Sequence, residues 1–208
     1  MKQLDIYLDL GNIAGMAAIS GTLKLIAETG VSAVWQPIAG IVPRPLSRVP
    51  SLDGDDPIRE FKQKRITAKR LFEMAELGRD CVRLELDVEL ASQTFDAGLT
   101  HLACMAILQR GESPLVFMQQ VYNLRFRQGV ALEDESSVAE ILETFGVQKF
   151  VIELAQLRDR WEQHQSSYLE LGIHDTPSYI LQAETFQGRQ HLPLLRWRLL
   201  GEVGPPPL

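Results

Sequence analysis

Cysteine is scarce in this 208-residue chain: Cys81 and Cys104 are the only two, and no Cys-x-x-Cys pair exists. Dithiol–disulfide exchange inside one site is therefore excluded, and the spacing matches no metal motif. The two thiols are best read as small, buried apolar side chains. The histidines (His101, His164, His174 and His191) are scattered without the spacing of zinc or iron ligands, so no metal is expected. Dense Lys/Arg stripes are also missing, and the net charge of −6 argues against nucleic-acid binding through phosphate neutralisation. Apolar runs break well short of a membrane span. The N-terminus alternates like a strand and lacks the basic, apolar and small-residue regions of a signal peptide, so a cytoplasmic protein without membrane contact is expected. No Walker loop or Ser-His-Asp elbow occurs. Gly11 and Gly15 make only half of a dinucleotide fingerprint, without its third glycine and later acidic residue.

What remains is an ordinary globular composition, 45% hydrophobic and 23% charged, long enough for one large domain or a small domain carrying an insertion. Leu4, Ile6 and Leu8 alternate with Asp5, Tyr7 and Asp9, which predicts a strand over residues 3–9. Small and apolar residues at helical spacing follow over 13–29, closed by Gly30. A second strand over 31–37 completes a βαβ unit with a parallel pair. Prolines 43, 45, 50 and 57 with Gly54 predict an extended surface loop over 40–57.

From about Asp56 to Gly146 the pattern is mostly helical. A first helix fades around Gly78, and Cys81–Leu86 alternates as a short strand or connector. A central apolar helix spans Phe95–Leu108. The next runs from Pro114 to Arg127, with Ser113 as cap, and another opens at Ser136 or Ser137. Residues 148–171 read as a long amphipathic helix. Ser178–Leu181 and 183–187 then pair as strands, Leu192–Leu200 forms a last helix, and Gly204–Pro207 frays. The order β-α-β, helical block, β-β-α predicts an α/β fold whose parallel and antiparallel strands share one sheet.

Four segments carry a resemblance: Ile6–Asp9, Trp35–Gly40, Val121–Gly129 with Glu133-Asp134, and residues 172–195. Together they resemble the DsbA-like thioredoxin superfamily, in its branch of 2-hydroxychromene-2-carboxylate isomerases and kappa-class glutathione transferases. The resemblance implies a thioredoxin-like domain from residues 1–54 and 173–208, with a helical insertion domain over 55–172. It also implies glutathione as cofactor, a small-molecule substrate such as an aromatic carboxylate, and a homodimer. In that family an Asp-x-x-Ser-Pro segment ends the first strand. Here Asp9 matches the Asp, Asn12 stands at the catalytic Ser, and Ile13 replaces the Pro. Asn12 is then the candidate catalytic residue, donating from its amide to a bound thiolate at a helix N-terminus. The plainer reading is that Asn12 is a helix cap.

The resemblance makes Thr176-Pro177 a cis-proline segment that pairs with the glutathione backbone. Arg189 and Gln190 fall in the turn that receives the γ-glutamyl end. Gln190 stands at the family's Asp position and cannot pair ionically with an ammonium, whereas Arg189 suits a carboxylate. His174 with Asp175, and Arg44 with Arg48, are further candidates that read more plainly as solvated loop residues. The competing expectation is a non-catalytic member that binds a small molecule or a protein in the old cleft.

Overall fold

β1 (Gln3–Leu8) has the burial its sequence calls for: Leu4, Ile6 and Leu8 are fully buried. The computed structural model describes residues 2–40, 57–93 and 95–207. The proline-punctuated segment, including Arg44 and Arg48, lies almost wholly outside them. α1 (Ile13–Thr29) returns the chain to β2 (Ser32–Pro37), which pairs parallel to β1 with Gln3 opposite Ser32 and Leu8 opposite Pro37. Gly30, at φ 64°, closes α1 by donating its N–H to the Ile26 carbonyl.

A helical layer follows: α2 (Pro57–Leu84), α3 (Val88–Ser92), α4 (Gly98–Gln109), α5 (Leu115–Gln128), α6 (Glu135–Glu143) and α7 (Phe150–Glu170). β3 (Ser178–Leu181) then runs antiparallel to β1, and β4 (Glu184–Gln187) antiparallel to β3. The sheet order is β2-β1-β3-β4, and a 3-10 turn (Arg189–His191) leads into α8 (Leu192–Leu199). Strands from both ends of the chain thus meet at β1, the pairing expected from the sequence.

One apolar core joins both parts. It runs from Leu4, Ile6 and Leu25 in the βαβ unit through Cys104, Phe117, Tyr122 and Phe150 in the helices to Tyr179 and Leu195. Within it, the Tyr179 hydroxyl lies 3.0 Å from Thr22 Oγ1, and burial pushes the phenol up to about 12. Tyr7, expected on a polar face, is buried instead against Ile38, Tyr168, Ile173 and Ile180. Alternation misleads here because α7 covers the second face of the sheet.

Three helical expectations need correction. α2 does not fade at Gly78 but continues to Leu84, so 81–86 is neither strand nor connector over most of its length. Leu77, Cys81 and Leu84, at i, i+4 and i+7, form a helical seam against the core. α4 starts at Gly98 rather than Phe95, because Asp96 Oδ1 takes the Gly98 N–H at 2.8 Å and turns the chain there. α6 is capped by Asp134 rather than by a serine, its carboxylate accepting from Ser137 N–H at 2.9 Å. The C-terminal Gly204 is also held: its carbonyl accepts from Trp197 Nε1 at 3.0 Å.

Both cysteines are free and buried. Burial pushes the Cys104 thiol far up, and burial with Asp80 and Asp87 raises Cys81, so neither supplies thiolate at neutral pH.

The β3–β4 hairpin turns on Gln182 and Ala183, both at positive φ (55° and 64°). Two left-handed residues in succession make the turn type that glycine and asparagine favour. Ala183→Gly is expected to stabilise the protein by about 1 kcal/mol, read as a higher urea midpoint at unchanged slope. A lower midpoint would contradict the strain assigned to this turn.

Candidate functional site

Asp9, just beyond β1, is the residue around which the candidate site is built. Its backbone N–H donates to Thr176 Oγ1 at 3.0 Å. Its carbonyl accepts from the Tyr122 hydroxyl at 2.8 Å and from Asn12 N–H at 3.2 Å. Its carboxylate accepts from Gly11 N–H at 2.8 Å and from Gly40 N–H at 2.9 Å. One residue therefore ties the end of β1 to the segment after β2, the loop before β3, the first turn of α1, and α5. Such a carboxylate is satisfied by backbone donors and has little freedom to move.

The glycines beside it follow from close approach. A Cβ on Gly15 would sit 2.1 Å from the Tyr122 hydroxyl, and one on Gly40 would sit 2.7 Å from Asp9 Oδ2. The pair Gly11 and Gly15, which resembles half a dinucleotide motif in sequence, makes room for Asp9 and Tyr122. Burial, Asp9 and Cys104 keep the Tyr122 phenol far above its ordinary titration range, so it remains a donor.

His101, on α4, completes the cluster. Its Nε2 accepts the Leu10 N–H at 3.2 Å and lies 3.2 Å from Asp9 Oδ1. A neutral ring protonated on Nδ1 takes the first partner, and an imidazolium donates to the second. The ring stacks on Trp161 at 5.1 Å. Trp161 in turn lies near His164, whose Nε2 donates to the Pro37 carbonyl at 2.8 Å. Burial lowers the His164 pKa, partly offset by that carbonyl.

Asn12 is extended (φ −126°, ψ 126°) and caps α1, its Oδ1 accepting from Ala14 N–H at 2.9 Å. The cap fixes the amide so that Nδ2 is its remaining donor, without a partner among the described residues. The Thr176–Pro177 peptide is cis. Thr176 N–H donates to Asp175 Oδ1 at 2.8 Å, so the donor nearest the cis bond is already paired. Gly188 N–H donates to the Pro177 carbonyl at 2.7 Å.

Arg189 and Gln190 turn to other partners. Arg189 Nη1 lies 2.5 Å from Asp80 Oδ1 and Nη2 lies 3.5 Å from Glu76 Oε2, so its charge is matched by α2. Gln190 Nε2 donates to the Gln187 carbonyl at 2.8 Å. His174 is exposed, its Nδ1 3.1 Å from the Gly172 carbonyl, while Asp175 is bound to its own backbone neighbour. The structure thus brings Asn12 and Thr176 to Asp9, whereas Arg189 and Gln190 are engaged elsewhere. The sequence reading missed His101 and Tyr122 as parts of the site, since each is buried on a helix far along the chain from Asp9. Among the described residues no group of three or more His, Cys, Asp or Glu side chains could hold a metal ion. No helix there is long and apolar enough to cross a membrane.

Two outcomes check this geometry. Gly15→Ala gains helix propensity, yet it displaces a buried hydroxyl; a net loss of about 1–3 kcal/mol is expected. Tyr122→Phe in that background should recover part of the loss, giving non-additive unfolding free energies; additive effects would contradict the contact. For His164 the folded pKa is below the unfolded value. Its contribution is therefore present above about pH 6.5 and is lost as pH falls through the folded value. The fall in Tm from pH 8 to pH 5 should be smaller in His164→Gln than in wild type.

No family model and no curated protein matches the chain by sequence. Solved structures do match it over nearly its whole length. A probable DsbA oxidoreductase from Streptomyces coelicolor superposes with a TM-score of 0.66 at 15% identity, covering 100% of this chain and 94% of that one. A 2-hydroxychromene-2-carboxylate isomerase gives 0.62 at 16% identity, over 97% and 95%. The cytosolic disulfide reductase DsbM from Pseudomonas aeruginosa, with glutathione, gives 0.55 at 15% identity, over 96% and 97%. Strand order, connections and these superpositions converge: this chain has the DsbA-like thioredoxin fold, with its helical layer inserted between β2 and β3.

Proposed function

We propose that the surface between the first turn of α1 and the Thr176-Pro177 loop receives glutathione, and that the bound thiolate serves isomerisation on an unsaturated, carboxylate-bearing substrate. The observation that carries this reading is the state of Asn12. Its Oδ1 is committed to the cap, which leaves Nδ2 to donate beside the helix N-terminus. There an amide hydrogen bond and the partial positive charge both favour an anion. The thiolate adds to the unsaturated carbon, rotation or rearrangement follows, and the thiolate leaves with the original bond order restored. The protein supplies no thiolate of its own, because both thiols are buried and raised. A structural neighbour with bound glutathione supports the ligand, and the same neighbour, a cytosolic enzyme, supports a cytoplasmic location.

A second reading, ligand binding without turnover, is favoured by two contacts. Arg189 is held by Asp80 and Glu76, and Thr176 N–H is held by Asp175. A peptide-like ligand pairing at Thr176 must first displace the Asp175 carboxylate.

Calorimetric titration with glutathione, followed by assay on 2-hydroxychromene-2-carboxylate, distinguishes the two. Heat with turnover is expected, heat without turnover supports the binding-only reading, and no heat at millimolar glutathione overturns the glutathione-dependent reading. Asn12→Asp is the most informative variant. It keeps the cap within a few tenths of a kcal/mol but sets a like charge against the thiolate, so binding should fall at least about tenfold at unchanged Tm. Unchanged binding in Asn12→Asp would remove Asn12 from the site.

A further inference from the structure

We propose that Arg125 selects the substrate: its guanidinium, lying over the Phe95 ring, takes the substrate's carboxylate beside the first turn of α1. The role in turnover rests on the function proposed above; the anion site itself rests on Arg125 and its surroundings. Arg125 is only 6% exposed, on the buried face of α5 that also carries Val121, Tyr122 and Phe126. Its Nε is buried with no hydrogen-bond partner, and among the described residues its side chain makes no ion pair. What it does touch is Phe95, whose ring centroid lies 5.3 Å from its Cζ. A ring face attracts the cation, yet it supplies none of the in-plane acceptors that the fork of N–H donors is built to meet.

Such a group is costly to bury. A guanidinium cannot shed its charge as a buried lysine can, so a buried arginine ordinarily has carboxylates or carbonyls around it. Arg189 shows that ordinary outcome, with Asp80 and Glu76 against it. Around Phe95 the carboxylates are engaged by backbone donors instead. Asp96 Oδ1 takes the Gly98 N–H at 2.8 Å, and Glu133 Oε1 takes the Asp96 N–H at 3.3 Å. The Asp9 carboxylate holds the Gly11 and Gly40 N–H groups. A buried cation left without an anion is destabilising, and its presence calls for an anion from outside the chain.

Two contacts put this cation next to the candidate site. Tyr122, about one helical turn before Arg125, gives its hydroxyl hydrogen to the Asp9 carbonyl at 2.8 Å. The carbonyl of Phe95 lies 3.3 Å from where a Cβ on Gly11 would stand. Gly11 and Asn12 form the turn into α1 at which the thiolate is proposed to sit. A carboxylate anchored on Arg125 is therefore held on the α5 side of that turn, which leaves the unsaturated part of the substrate to face the thiolate. Arg125 binds and orients in this scheme and exchanges no proton.

Calorimetric titration of the full chain with cinnamate and with cinnamamide, both without glutathione, tests the assignment. Wild type should bind cinnamate at least about tenfold more tightly than the uncharged amide. Arg125→Met keeps an apolar stem and removes the charge. It should bind the two compounds alike, with a urea midpoint equal to or above that of wild type, because an uncompensated buried charge is gone. Arg125→Lys, which keeps the charge without the planar fork, should show an intermediate preference. Glutathione affinity should be the same in wild type and Arg125→Met. No preference in wild type, or a preference that survives in Arg125→Met, would overturn the inference. So would a midpoint well below wild type, since the guanidinium would then already be satisfied by the fold. A glutathione affinity that falls in Arg125→Met would overturn it too, because the carboxylate held would be glutathione's own. The cinnamate arm contains no glutathione, so it reports on Arg125 even if glutathione itself fails to bind.

Discussion

The arrangement depends on one residue held from every side. Asp9 receives hydrogen bonds on its carbonyl and carboxylate and gives one from its N–H, so segments from the start, middle and end of the chain are fixed to a single point. No one of these bonds is worth more than about 1–3 kcal/mol, but each buried donor left unpaired would cost a similar amount. Removing one contact therefore disturbs the others. Gly15, Gly40 and Tyr122 make sense only in this light: two lack a side chain so that Asp9 and a phenol can come close, and the third supplies that phenol.

That constraint also sets what the candidate site has to work with. The helix N-terminus and the loop before β3 are brought together by Asp9, and neither offers a reactive sulfur or hydroxyl in the first turn. What the first turn offers is an amide donor and a helix end, a setting for holding an anion made elsewhere. In the function proposed above, the chemistry belongs to the ligand and the protein contributes position and charge. Arg189 marks the main departure from a simple glutathione cleft, because its guanidinium balances two carboxylates of α2. It links the last turn to the helical layer instead of waiting for a ligand.

The parts legible in the sequence were those with local causes. Alternation identified β1, the spacing of small residues and Gly30 bounded α1, and the segment from Ser178 showed the terminal hairpin. The hidden parts had distant causes. Asp9 and His101 are neighbours in space but 92 positions apart, and a lone histidine on an apolar helix carries no sign of its partner. Leu84 belongs to a helix because of what Leu77 and Cys81 touch, so the local alternation of 81–86 pointed the wrong way. Arg189 reads as a free cation until α2 is placed against it.

Asn12 and Thr176 are proposed to line one ligand site beside Asp9. Backbone and side-chain amide NMR during a glutathione titration reads it directly. The account predicts that the Asn12 Nδ2 hydrogens and the Gly11 and Thr176 amides shift together with a single affinity, while amides along β4 and α6 stay still. Shifts confined to other parts of the molecule, or at Thr176 without Asn12, would contradict it.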